Sequence, residues 1–245
     1  MKKYIYFIVT ALVTQATCFA QTALNKTITV QAGQKIVMNF DYPEIIKVST
    51  WDKNEISIQG TVSINNGEND DAFALYTSNS GNTVQISNEI KNMKSLPQRI
   101  TVVRDGQKIV FHDKAALKKY QDEHGKNFEC QSYGVDMEIV LEIKVPRNME
   151  TTITSVYGTV EIKDFTGPLT AISTYGGVDA ALTEKAAGEI IAETNYGEIY
   201  SNLDAKFGGE ISEEAFHTYV SAKPGSGPRY SFESKYGNVY LRKSH

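Results

Sequence analysis

The sequence predicts an all-β protein: a single-stranded β-helix or β-solenoid-like repeat region, antiparallel or irregular β elements in the N-terminal half, and one short inserted helix. Three observations support this fold class. Short runs of alternating apolar and polar residues are rich in Ile, Val, Thr and Tyr, glycine-containing turns separate these runs, and a Tyr-Gly motif recurs four times near the C-terminus. With 245 residues, 41% hydrophobic content and only 6 prolines, the chain has the composition of a globular protein, which excludes wholesale disorder.

The first 20 residues have the three-part form of a secretory signal peptide. Lys2 and Lys3 precede an apolar run over residues 4–13, and Ala20 ends the segment with a small residue. The apolar run is too short to cross a bilayer, which takes about 20 residues. A lipoprotein is the alternative, and it requires Cys18 to carry the lipid. The segment therefore predicts an exported protein, and we expect it to be periplasmic, outer-membrane-associated or extracellular.

Removal of residues 1–20 would leave 225 residues and a mildly acidic protein. The basic residues fall from 25 to 23 against 29 acidic ones, so the net charge changes from −4 to −6. Such a balance argues against nucleic acid as a partner. Cys130 would be the one remaining cysteine, which excludes an intramolecular disulfide. No other segment is apolar over 18 residues, so we expect no membrane span in the mature chain.

Residues 21–245 are expected to form one elongated domain with three parts. The first, over residues 21–110, contains alternating runs such as 35–40 and 55–58, with turn signals at Asn66-Gly67 and Asp105-Gly106. The acidic turn over residues 65–71 offers oxygen ligands for calcium, but Asn-Gly at a turn favours a solvated hairpin loop.

The second part, residues 111–130, contains the predicted helical insertion. Asp113 is a candidate N-cap, strong helix formers follow, and Gly125 is a candidate C′ residue, so we expect a short helix over residues 113–124. Its apolar stripe is narrow, and Ala116, Leu117 and Tyr120 are expected to face inward.

The third part, residues 131–245, contains the repeat. Successive tyrosines of the motif are separated by 18, 21 and 40 residues, and 40 is close to two periods of about 20, a spacing typical of stacked coils. Period-two alternation groups each tyrosine with the small hydroxyl residue two positions earlier, and this predicts an internal or corner stack rather than a ligand platform. The predicted structural ladder consists of Tyr157, Tyr175, Tyr196, Tyr236, Gly158, Gly176, Gly197 and Gly237.

Tyr200 and Tyr240 lie just beyond two of the copies and are the candidate surface contacts. We expect no catalytic, cofactor-binding or metal-binding residue. The histidines are scattered along the sequence, and no nucleophile, phosphate-loop or zinc motif occurs. A carbohydrate-active enzyme, either a polysaccharide lyase or a glycoside hydrolase on a β-helix scaffold, is the alternative. Its candidate carboxylates are Glu161, Asp179 and Glu198, which the repeat places in nearby columns.

Three segments resemble the putative-adhesin family, a group of exported bacterial β-helix or β-solenoid domains of unknown function. They are residues 48–58, residues 141–146 leading into the first Tyr-Gly copy, and residues 236–241 at the C-terminus. The resemblance implies an adhesin-like, non-catalytic structural or binding module of the cell envelope or extracellular space, whose partner is an unidentified protein or glycan. It brings no catalytic residues and no cofactor.

Overall fold

The structure is a computed structural model that describes residues 21–212 and 216–244. The predicted signal peptide, including Cys18, lies outside the described residues. Within them, no helix has both the length and the apolar character needed to cross a membrane.

The described chain is all-β with one α-helix, α1, at Lys114–His124. Three 3-10 turns occur at Asp70–Ala72, Met93–Ser95 and Glu184–Ala186. The strands, in chain order, are β1 Thr22–Thr29, β2 Lys35–Phe40, β3 Ile45–Trp51, β4 Glu55–Ile64, β5 Phe73–Ser80, β6 Thr83–Ile90, β7 Arg99–Arg104, β8 Gln107–Phe111, β9 Cys130–Gly134, β10 Met137–Pro146, β11 Thr151–Ser155, β12 Thr159–Ile162, β13 Leu169–Ser173, β14 Val178–Leu182, β15 Glu189–Thr194, β16 Ile199–Ser201, β17 Gly208–Ser212, β18 His217–Ala222, β19 Arg229–Ser234 and β20 Val239–Lys243.

Two large mixed sheets enclose the main core. One has eight strands in the order β1-β4-β10-β3-β12-β14-β20-β16, and the other has nine in the order β17-β18-β15-β19-β13-β11-β2-β6-β5. Alternate residues are buried in strands such as β11, β13 and β14, and buried side chains from both sheets belong to one continuous cluster. The arrangement is therefore sandwich-like, with one face of each sheet turned inward.

The prediction of a β-helix or β-solenoid is wrong. The four Tyr-Gly copies do form parallel, in-register strand pairs, but these strands are part of the same two sheets as antiparallel pairs such as β1–β4, β4–β10 and β15–β18. The last copy also lies out of chain order, because β20 separates β14 from β16. The period of about 20 residues therefore reflects parallel pairing of the repeated strands. It does not mean that the chain winds through successive coils of a solenoid.

The predicted helix is confirmed, and it belongs to a small separate layer. Asp113 caps it by accepting a hydrogen bond from the Ala116 backbone amide at 2.8 Å, and Gly125 ends it with φ at 85°. Leu117 is buried and Tyr120 partly buried, whereas Ala116 is exposed, contrary to prediction. The helix packs on the three-stranded sheet β8-β7-β9 and forms with it a second apolar cluster, distinct from the main core.

The acidic turn at residues 65–71 connects the two large sheets, so the hairpin prediction is wrong. β4 pairs with β1 and β10, whereas β5 pairs with β6. The Asp70 carboxylate accepts hydrogen bonds from the backbone amides of Ile64 at 2.7 Å and Thr22 at 3.2 Å. These bonds satisfy the hydrogen-bonding capacity of a carboxylate that is buried.

Candidate functional site

Each Tyr-Gly turn is fixed by the small hydroxyl residue two positions before the tyrosine. Ser155, Ser173, Thr194 and Ser234 are fully buried at the ends of their strands. The Ser234 hydroxyl accepts a hydrogen bond from the Gly237 amide of its own turn at 2.9 Å and donates one to the Gly176 carbonyl of the neighbouring turn at 2.8 Å. Thr194 makes the equivalent pair of bonds to Gly197 and Gly237. The Gly158 amide also donates to the Ser155 hydroxyl, so three of the four turns are closed in this way, and the Ser173 hydroxyl joins its turn to the neighbouring one by donating to the Gly158 carbonyl.

Glycine follows each tyrosine because the neighbouring backbone leaves no space for a side chain. A Cβ on Gly176 would lie 2.3 Å from the Gly158 carbonyl oxygen, and one on Gly197 would lie 2.0 Å from that of Gly237. A Cβ on Gly158 would likewise lie only 1.9 Å from the Pro43 carbonyl oxygen. The turns therefore stack in the order of residues 43, 158, 176, 237 and 197.

The hydroxyl-closed turn places the tyrosines outside the core, so the stack takes the corner position and not the internal one, the two positions that alternation had left open. β11 and β13 end at Ser155 and Ser173, so the period-two alternation stops before the tyrosine is reached. The side chains of the four motif tyrosines are between 44% and 59% exposed. The structure brings all four together, but on the surface, along the edge where strands of the two sheets are joined.

The four rings belong to a longer row, which we call the aromatic ladder: Tyr42, Tyr157, Tyr175, Tyr236, Tyr196 and Phe216, in spatial order. The ring centroids of Tyr157 and Tyr175 are 5.4 Å apart, and Tyr236 lies 5.1 Å from both Tyr175 and Tyr196, with interplanar angles of 8° to 12°. Tyr42 and Phe216 extend the row at 6.0 and 5.8 Å. Each inner ring has neighbours on both faces, so the row presents its ring edges to solvent.

The hydroxyl groups along the aromatic ladder have no protein partner within the described part of the chain. No hydrogen bond joins the hydroxyl of any ladder tyrosine to another group among residues 21–212 and 216–244. The backbone amides of the four motif tyrosines, by contrast, are used: those of Tyr175, Tyr236 and Tyr196 donate to carbonyls of the neighbouring turn at 2.8 to 3.0 Å, and that of Tyr157 donates to the Asp41 carbonyl at 3.2 Å. The contacts this surface can still make come from phenol hydroxyls and ring edges.

A cleft of about 590 Å³ opens at the Tyr42 end of the aromatic ladder, between the small sheet and the main body. Its volume lies within the range of small-molecule sites. Tyr42 and Tyr157 belong to both the ladder and the cleft, so the two features form one continuous surface. The other lining residues are Met93, Thr101, Lys108, Ser132, Tyr133, Gly134, Val135, Asp136 and Met137.

Lys108, on β8 of the small sheet, is a charged residue that lines this cleft. Its ammonium lies 2.6 Å from the buried Asp136 carboxylate and 2.7 Å from Glu138. Burial acts to lower the pKa of Lys108, but the two carboxylates outweigh it and hold the pKa above the usual value for lysine. The ion pairs therefore join the small sheet to β10.

The predicted contacts Tyr200 and Tyr240 form a second, smaller aromatic pair on the eight-stranded sheet. Their ring centroids are 5.2 Å apart, and the Arg242 guanidinium lies 5.2 Å from the Tyr240 ring. The Tyr200 hydroxyl donates to Glu198, which raises the pKa of Tyr200. Tyr200 is exposed and Tyr240 half-buried. The structure does not join this pair to the aromatic ladder by any ring contact.

The candidate carboxylates of the enzyme alternative are not gathered into one site. Glu161 and Asp179 are neighbours in register on adjacent strands, but both oxygens of Asp179 accept from Arg242 Nε, at 2.7 and 3.0 Å. Glu198 is instead bound to Tyr200. Within the described ranges, no cluster of three or more His, Cys, Asp or Glu side chains is placed to hold a metal ion. Cys130 is exposed on β9.

Sequence reasoning missed both ends of the aromatic ladder and the whole cleft. Tyr42 had a usable signal. Phe40, at the end of β2, pairs in register with Ser155, and Tyr42 follows Phe40 by two positions just as Tyr157 follows Ser155. Pro43 stands where the motif has glycine, which hid the match. Phe216 and Lys108 carried no motif, since their positions depend on how the sheets meet.

No family model matches the chain, and no curated protein matches its sequence. Among solved structures, a "putative cell adhesion protein" from Clostridium sporogenes aligns at a TM-score of 0.51 and 10% identity, covering 92% of this chain and 100% of that one. A "putative adhesin" from Bacteroides fragilis aligns at 0.22 and 10% identity over 92% and 98% of the two chains, and a "putative lipid binding protein" from Parabacteroides distasonis at 0.23 and 9% over 91% and 97%. The Clostridium likeness concerns the fold alone, and the other two carry no structural argument.

Proposed function

We propose that the chain is an exported, non-catalytic binding module that contacts a partner of the envelope or extracellular space through the aromatic ladder. The observation that carries the proposal is the continuous row of six rings, five of them exposed and Tyr42 half-buried, in which the five tyrosine hydroxyls have no hydrogen-bond partner among the described residues. Contiguous exposed apolar patches on protein surfaces commonly mark interaction sites, and tyrosine combines an apolar ring with a polar hydroxyl. The Clostridium sporogenes protein of similar fold is described as a "putative cell adhesion protein", and this description agrees with the proposal.

The non-catalytic part of the proposal is supported by the state of the acidic residues. Asp179 is engaged by Arg242, and Glu198 by Tyr200. Both carboxylates already have protein partners, so neither is free to serve in the acid-base pair that glycoside hydrolysis needs. The ladder itself offers binding groups only.

The test compares the native chain with two sets of variants on immobilised panels of glycans and extracellular proteins. A Tyr175→Ala/Tyr236→Ala double variant removes the centre of the aromatic ladder, and we expect it to weaken binding at least about tenfold, as loss of a central aromatic anchor does. Tyr76→Ala is the matched control, because Tyr76 is similarly exposed but lies on β5. Thermal unfolding would verify that each variant is folded at the assay temperature.

Glu161→Ala addresses the catalytic alternative in the same assay. We expect binding equal to that of the native chain and no change in any glycan. Binding that survives the double variant would contradict the proposal, as would release of shortened glycan by the native chain but not by Glu161→Ala.

A further inference from the structure

We infer that the partner of the aromatic ladder is a linear glycan that lies along the row with one sugar unit per ring and ends in the cleft. This inference rests on the proposed function and names the chemical class of the partner. It follows from the spacing of the rings, the groups they expose, the residues beside them and the cleft at one end.

The spacing of the aromatic ladder disfavours an extended peptide. A strand advances about 3.3 Å per residue, so side chains on one face recur about every 6.7 Å. The inner rings recur every 5.1 to 5.4 Å, which would put a peptide out of step within a few residues. A chain of pyranose rings joined through opposite ring positions advances by one ring length per unit, which is close to the spacing of the ladder.

Strand addition is excluded for a second reason. A peptide that extends a sheet needs unpaired backbone donors and acceptors on the receiving edge. The amides of Tyr157, Tyr175, Tyr236 and Tyr196 are already bonded to the preceding turn. The aromatic ladder is therefore not a sheet edge, and recognition must use side chains.

The exposed groups match a polyhydroxylated partner. Each ladder tyrosine offers one hydroxyl that can both donate and accept a hydrogen bond. The positions just before the four motif tyrosines hold Val156, Thr174, Asn195 and Lys235, of which Thr174 and Asn195 are polar and uncharged. Charged residues flank the row towards both ends: exposed Asp41 precedes Tyr42, and Lys235 lies over the Tyr236 ring at 5.5 Å.

The geometry also assigns the way each sugar is held. Inner rings are covered on both faces by their neighbours, so sugars cannot stack on them face to face. They contact ring edges and hydroxyls along the row, and a terminal sugar can reach the cleft, which contains three tyrosines. Tyr42 and Tyr157 there are shared with the aromatic ladder, and Tyr133 of the small sheet also lines the cleft.

The test measures the affinity of the full purified chain for cello-oligosaccharides and chito-oligosaccharides from dimer to octamer by calorimetry. One added hydrogen-bonded sugar is expected to raise affinity about two- to tenfold until the glycan spans the six rings, after which affinity stays constant. Malto-oligosaccharides of equal length are the control, since their helical chains leave the row and should show no such rise.

Tyr175→Phe keeps the stacked ring and removes one hydroxyl in the middle of the row. We expect it to weaken binding of the hexamer about two- to tenfold and to leave binding of the dimer less affected. Tyr76→Phe is the matched control and should change neither. Both changes are conservative, so a folded protein is expected in each case.

Three results would overturn the inference. A flat dependence on length contradicts one sugar per ring, and failure to bind any oligosaccharide contradicts a glycan partner. In either case, the proposed function survives if the Tyr175→Ala/Tyr236→Ala variant still loses binding to a protein on the panels. Sedimentation that shows a dimer dissociated by the same double variant would identify a second copy of the chain as the occupant.

Discussion

At the scale of single residues, the Tyr-Gly turn depends on two requirements that act together. The buried hydroxyl of Ser234 satisfies one amide in its own turn and one carbonyl in the next. A buried backbone group left without a partner costs about 1 to 3 kcal/mol. Glycine then allows neighbouring turns to approach so closely that a Cβ would lie only 1.9 to 2.3 Å from a carbonyl oxygen of the next turn. The motif is therefore a stacking unit, and the tyrosine is the residue it leaves outside.

Gly176→Ala tests this account directly. The new Cβ would lie 2.3 Å from the Gly158 carbonyl oxygen and 2.5 Å from its carbon, so the backbone of one turn has to shift. We expect the free energy of unfolding to fall by about 1 to 3 kcal/mol or more, the usual cost of overpacking a core. Chemical denaturation would measure it.

Gly134→Ala is the control for Gly176→Ala, because nothing lies within 4 Å of the position of its Cβ. It should change stability by no more than about 0.5 kcal/mol. Equal stability of the two variants would show that the turns are not as closely stacked as the structure has them.

The sequence was sufficient to find the ladder residues but not to orient them. Tyr157, Tyr175, Tyr196 and Tyr236 are recognisable from the repeat alone. Their exposure depends on a hydrogen bond such as that from the Gly158 amide to the Ser155 hydroxyl, which ends the strand before the tyrosine. Alternation assumes a continuous strand, so it could not decide between an internal stack and the exposed corner stack that the structure has.

At the scale of elements, local signals were reliable where local interactions determine the structure. Helix α1 begins and ends where its capping residues predict, because Asp113 and Gly125 bond to backbone groups within a few positions of themselves. The order of the strands was not predictable in the same way. β20 lies between β14 and β16 although it is last in the chain, and this depends on contacts among residues far apart in sequence.

The helix cap yields a prediction at this scale. Asp113→Ala removes the acceptor for the Ala116 amide, and loss of such a cap costs about 0.5 to 2 kcal/mol. The apolar cluster under α1 is separate from the main core, so we expect the loss to be local. Hydrogen exchange should accelerate in residues 114–124 and stay unchanged in β13 and β19.

Asp122→Ala is the matched control, since Asp122 is an exposed carboxylate near the other end of the same helix. Exchange in residues 114–124 should match that of the native chain. If Asp113→Ala accelerated exchange throughout the two large sheets, the small layer and the main core would form one cooperative unit.

At the scale of the whole molecule, the cleft exists because two layers with separate cores meet at a polar contact. Lys108 on β8 bonds to Asp136 beside β10 and to Glu138 within it, and the buried Arg99 on β7 bonds to Glu68 at 2.5 Å. Apolar packing joins the strands within each layer, whereas charged groups contribute to the contact between layers. The shape of the cleft should therefore respond to these charges.

Lys108→Met tests that dependence, because it keeps most of the side-chain length and removes the charge, leaving the buried Asp136 without its ammonium partner. We expect hydrogen exchange in β7, β8 and β9 to accelerate at least several-fold while the two large sheets keep their protection. Lys94→Met, at an exposed lysine with no ion pair among the described residues, is the control and should leave exchange in the small sheet unchanged.

The ion pair of Lys108 also has a defined pH dependence. Because the folded-state pKa of Lys108 is raised, its stabilising contribution is fully present below the unfolded value of about 10.4 and is lost as pH rises through the folded pKa. The difference in exchange between the native chain and Lys108→Met should thus persist at neutral pH and narrow above about pH 10.4. An equal difference above the folded pKa would mean that packing of the lysine stem, and not its charge, joins the two layers.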